Sequence, residues 1–117
     1  MSYVQGFVLA VPTANREAFR AHAAKAAEAF KELGALAVME CWGADVPEGE
    51  VTSFPMAVKS EADETVVFSW IVWPSKAVLD KAMPRILDDP RLDPSANPMP
   101  FDGKRMIYGG FVPIVEA

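Results

Sequence analysis

The chain has 117 residues, 51% hydrophobic and 23% charged, and that length makes it one domain, residues 1–117, with room for a single core. With 11 basic against 16 acidic side chains it carries a net charge of −5. This argues against a nucleic-acid partner, because such binding rests on neutralised phosphates. Gly, Pro or a charge interrupts every apolar stretch before the roughly 18 residues of a membrane-spanning helix, so no membrane role is expected.

No basic segment precedes the first apolar run, so no secretory signal is read and the expected location is the cytoplasm. The lone Cys41 fits a reducing compartment, leaves no disulfide framework or cysteine-based zinc cluster, and is expected to be a buried, inert thiol.

Residues 3–11 are rich in β-branched and aromatic side chains and stop at Pro12, a strand pattern. The period then changes. Phe19, Ala23, Ala26, Phe30 and Leu33 recur at spacings of 4, 3, 4 and 3, which puts them on one stripe of a helix over 14–33. Thr13 or Asn15 can cap its start, Glu17 suits the positive end of its dipole, and Gly34 stops it.

Residues 36–43 read as a second strand, followed by a polar loop through Asp45, Pro47, Glu48 and Gly49. The short piece Phe54 to Lys59 reads as a bent or irregular extension of that strand. Residues 65–73 carry the strongest strand signal, and Pro74-Ser75 ends it while offering Ser75 as the next helix cap. That helix presents Val78, Leu79, Ala82, Met83, Ile86 and Leu87, but Pro84 in its middle predicts a kink or two short helices. Pro90, Pro94, Pro98 and Pro100 mark an irregular connection to a last strand over 105–115, where Pro113 points to a sheet edge.

The order β-α-β-β-α-β predicts an α+β fold, a ferredoxin-like sandwich with a four-stranded antiparallel sheet and both helices on one face. Such a sandwich should leave the other sheet face wet. Yet alternation in residues 65–73 places Val66, Phe68, Trp70 and Val72 on one face and Val67, Ser69, Ile71 and Trp73 on the other, both apolar. With no spare segment to cover the second face, the expected cover is another copy of the chain, a homodimer with sheets packed face to face.

Three stretches, Val51 to Lys59, Asp63 to Ser75 and Met99 to Phe111, resemble the YbaA-like family of small bacterial proteins within the dimeric α/β-barrel superfamily. The resemblance spans nearly the whole chain and implies the fold and the dimer, a dimeric α/β barrel, but no activity. The wider superfamily includes cofactor-free monooxygenases acting on aromatic polyketides, haem-dependent enzymes, isomerases of small lactones and ligand-sensing domains. It therefore implies either a small-molecule enzyme of monooxygenase or isomerase type, or a noncatalytic dimer that binds a small ligand or a protein.

The candidate pocket residues are the polar and aromatic interruptions of the strands: Glu40, Trp42, Ser69, Arg105 and Tyr108. A carboxylate among apolar groups, as Glu40 is beside Leu36, Val38 and Trp42, has a raised pKa and can serve as acid or base. The plainer reading makes it an edge-strand charge or a partner for Arg105 across an interface. Gln5 and Ser69 can hydrogen-bond each other or a ligand. Trp42, Trp70, Trp73 and Tyr108 can line a flat aromatic pocket or form the dimer core. His22, the one histidine, borders the helix stripe, where a border or interface role is plainer than a haem ligand or base. No glycine-rich phosphate loop precedes a helix, and Asp88 and Asp89 lack further ligands at calcium-loop spacing, so neither a metal nor a cofactor is expected.

Overall fold

The two longest runs of strand-forming residues, β1 (Tyr3–Pro12) and β3 (Glu64–Trp73), pair antiparallel at the centre of a four-stranded sheet. β2 (Ala37–Trp42) joins β3 and β4 (Ile107–Phe111) joins β1, both antiparallel, giving the order β2-β3-β1-β4. The structure, a computed structural model, describes residues 2–117. β4 is thus an edge strand, but it is shorter than the sequence suggests: Gly103–Arg105 forms a 3-10 turn before it and Pro113 lies beyond its end.

Three helices complete the mixed α+β architecture: α1 (Arg16–Glu32), α2 (Phe54–Ala57) and α3 (Lys76–Asp88). The stripe of α1 places Phe19 and Ala23 against Leu9, Val11 and Val67 of the sheet. Leu79 and Ala82 of α3 pack on Ile71 and Trp73 of the same face. Trp73 is fully buried there, and its indole N–H donates to Gln5 Oε1 at 2.9 Å. Gln5 therefore serves Trp73 and not Ser69.

Local signals decide the helix ends. Ser75 Oγ accepts the Val78 N–H at 3.2 Å, and Gly34, at φ +117°, turns the chain out of α1 in a conformation that L side chains rarely adopt. Asn15 stands at the α1 cap position, but its side-chain amide donates instead to the Pro100 carbonyl at 3.0 Å, tying the irregular 91–101 segment to the helix. Pro84 neither splits α3 nor leaves two short helices: α3 runs through it. Pro84 and Asp80 are both exposed, so the Asp80 carbonyl, which loses its usual helical donor, lies on the wet side.

Residues 54–57 form a helix where the sequence suggests an irregular strand. Ser53 Oγ accepts the Met56 N–H at 3.1 Å, and Pro55 sits in the first turn, where a missing N–H costs nothing. This segment drops Val58 onto Val8, Ala10 and Val66 and brings Phe54 within 5.8 Å of Phe68. It covers one end of the sheet face that the other two helices leave open.

The rest of that outer face is uncovered. Residues 4–10 and 66–72 taken at even numbers, with 37–41 and 107–111 at odd numbers, all face outward and are apolar or glycine apart from the thiol of Cys41. Phe68 and Phe111 are 44% and 60% exposed there. Cys41 itself is half-buried, less enclosed than its strand position suggests. On the inner face Tyr3 lies over Gly110, where any Cβ would overlap its hydroxyl.

Candidate functional site

Register builds the site. Glu40 of β2 pairs with Ser69 of β3, Ser69 with Phe7 of β1, and Phe7 with Tyr108 of β4, one row across the helix-facing side of the sheet. Above Phe7, Ser69 and Glu40, between the sheet, α1 and the 91–101 segment, lies a cavity of about 180 Å³. Phe19, His22, Ala23, Ala26 and Phe30 of α1 form one wall, and Asn97, Met99 and Phe101 close it from the loop.

The loop is held by polar contacts of its own. Asn97, itself buried, donates from Nδ2 to the Arg91 carbonyl at 2.8 Å and to the His22 carbonyl at 3.3 Å. The Arg91 guanidinium is engaged by Asp89 at 2.8 Å and by Glu32. Its bonds hold the Asp89 carboxyl below the usual carboxylate range.

Glu40 stands between this cavity and a second, open cleft of about 510 Å³ between α1 and β2, for Phe19, Ala23 and Glu40 line both hollows. The residue is accordingly reached by solvent, yet protein crowds its carboxyl. Burial pushes the Glu40 carboxyl up to about 7, and hydrogen bonding to the Ser69 hydroxyl pulls the other way. Ser69 is almost fully buried.

The structure brings Glu40 and Ser69 together in the cavity and places the other candidates elsewhere. Trp42 lines only the open cleft, under the Arg16 guanidinium at 5.7 Å from its ring centroid. Arg105 grips the side chain of Glu64 through two bonds of 2.7 and 2.6 Å and also reaches Asp102 and the Lys59 carbonyl. That clamp lowers the Glu64 carboxyl and occupies Arg105 within its own chain. Tyr108 is 75% exposed and stacks on Phe7 at 6.4 Å, outside the cavity wall. The aromatic set divides as well: Trp73 is in the inner core, Trp70 on the outer face, and Trp42 in the cleft.

His22 lines the cavity from α1, and its Nδ1 is buried with no hydrogen-bond partner. Its place beside the apolar stripe was legible, but nothing local indicated what it would face. Asn97 and Phe101 carried no signal, since the proline-rich segment around them has no period. Among the described residues no group of three or more His, Cys, Asp or Glu is placed to hold a metal ion, and no helix is long and apolar enough to cross a membrane.

Residues 2–103 match the family described as protein of unknown function DUF1428. The chain is 58% identical over 116 residues to the uncharacterized protein YbaA of Escherichia coli strain K12, covering 99% of both chains. The uncharacterized protein YbaA of Shigella flexneri matches with the same identity and coverage. A family match over most of the chain, with relatives this similar along their whole length, establishes that the chain belongs to the DUF1428 family.

Proposed function

We propose that the chain is a cofactor-free small-molecule enzyme, of isomerase or monooxygenase type, that moves a proton on a substrate bound between α1 and the sheet, with Glu40 as the acid–base group. One observation carries this reading: a carboxyl set beside a buried hydroxyl in a mostly apolar cavity of molecular size. As carboxylate, Glu40 takes a proton from an acidic C–H or O–H, and the electron pair stays on the substrate as an enolate. Returning the proton at a different carbon gives an isomer. A carboxyl that titrates near neutral pH is suited to both directions of transfer.

The working unit in this reading is a homodimer of ferredoxin-like sandwiches, a dimeric α/β barrel. The order β2-β3-β1-β4 with α1 and α3 on one face supports the sandwich, and the open apolar outer face supports the pairing. A cytoplasmic setting goes with it, supported by the free thiol of Cys41.

The test is solvent exchange. Small cyclic ketones, lactones and phenols in D2O are expected to gain deuterium faster with the protein, and Glu40→Gln to lose that acceleration by about 100-fold or more. Equal exchange in buffer, wild type and variant overturns the enzyme reading. Binding without exchange selects the noncatalytic, ligand-binding reading of the same cavity.

A further inference from the structure

We infer that the substrate is a small carboxylate, its anionic group held by Arg16 beside Trp42 at one end of the open cleft between α1 and β2, and its acidic proton facing Glu40. This rests on reading Glu40 as the proton-transfer group and adds the class of substrate and a residue that selects it.

Access comes first. Arg16 and Glu40 are exposed and Trp42 is half-buried, and all three line the cleft of about 510 Å³, so a guest arriving from solvent reaches each of them. Glu40 and Trp42 stand two positions apart on one face of β2, about 6–7 Å along the strand. The Arg16 guanidinium lies over the Trp42 ring, 5.7 Å from its centroid. Between the two ends the wall is Ala23, Ala24 and Ala27 of α1 against Val38 of β2, short side chains that leave room for a guest and offer it no polar group.

Charge then selects the guest. Among the described residues Arg16 has neither a hydrogen-bond acceptor nor an ion-pair partner, whereas Glu17, the carboxylate next to it, is held by Arg20 at 2.8 Å. Arg91, the cation of the adjoining cavity, is likewise held by Asp89 and Glu32. Stacking on Trp42 fixes the plane of the Arg16 guanidinium and leaves its N–H edge free, which suits it to grip a carboxylate with two parallel bonds. Glu40 offers that anion little opposition, for burial pushes its carboxyl up to about 7 and it keeps its proton below that. In a chain of net charge −5, this uncompensated cation sets the local sign of the cleft.

The probes are cyclohexanone carrying a carboxylate opposite its carbonyl, and the uncharged amide of the same acid, titrated by NMR shift. The acid is expected to bind about 10-fold tighter, the worth of one charge-assisted hydrogen bond, with shifts at Trp42 and Glu40. Arg16→Gln is expected to bring the acid down to the affinity of the amide. Removing the neighbouring ion pair whole, Glu17→Gln together with Arg20→Gln, is expected to leave the preference in place. All three positions are exposed, so these variants keep the fold. Equal binding of acid and amide, no binding of either, a preference that survives Arg16→Gln, or one lost equally with the Glu17 and Arg20 pair overturns the inference. Preference for the acid without deuterium exchange beside its carbonyl removes the proton-transfer reading and leaves the carboxylate site. Exchange without that preference does the reverse.

Discussion

At Glu40 the environment matters more than the residue type. Unfolded, its carboxyl loses its proton near 4.5; folded, it does so only near 7. Between those values the unfolded chain binds fewer protons than the folded one, so this group makes the fold less stable as pH rises from 4.5 to 7, after which its effect is constant. Discounted for the solvent that reaches Glu40 through the open cleft, the cost above pH 7 is about 1–2 kcal/mol. Glu40→Gln is therefore expected to be more stable than wild type by that amount at pH 8 and no different at pH 4, measured by urea unfolding. Glu40 was legible in the sequence as a charge among apolar neighbours. That it stands opposite Ser69 was not, because cross-strand register depends on residues far apart in the chain. For the same reason Arg105 read as a pocket group, while its partner Glu64 lies 41 residues away.

At the scale of elements, period and punctuation predicted most of what forms. The stripe of Phe19, Ala23, Ala26, Phe30 and Leu33 became α1, and the Ser75 cap opens α3. Two elements differ from the sequence pattern, each for its own physical reason. Pro84 predicts a kink or two short helices, but Pro84 and Asp80, whose carbonyl loses its helical bond, are both exposed and the helix runs on through them. Pro84→Ala should restore that bond and stabilise the protein by about 1–2 kcal/mol, read from the denaturant midpoint. Phe54 to Lys59 looked strand-like from its apolar residues alone. The Ser53 cap and the Pro55 first turn outweigh that pattern over so short a stretch.

At the scale of the molecule, the apolar outer face sets the assembly proposed above. α2 and Val58 cover only one end of it, leaving Trp70, Phe68, Ile107 and Phe111 along an open surface. Large contiguous apolar patches mark interaction sites in proteins generally, and the proposed pairing rests on that rule. Sedimentation equilibrium is expected to give twice the 12.7 kDa of one chain. Trp70→Lys, a charge at the centre of that face, should shift the species to a single chain while leaving the fold's circular dichroism unchanged.

The sequence by itself determined the strands, two of the helices, their order, and the fact that β3 is apolar on both faces. Those properties follow from side-chain alternation and period, which neighbouring residues carry between them. Only the tertiary structure decided which face lies under α1 and α3, that Ser69 meets Glu40, and that His22 and Asn97 close the same cavity. These are matters of register and docking between segments tens of residues apart, where packing of the whole chain selects one arrangement that no local pattern specifies.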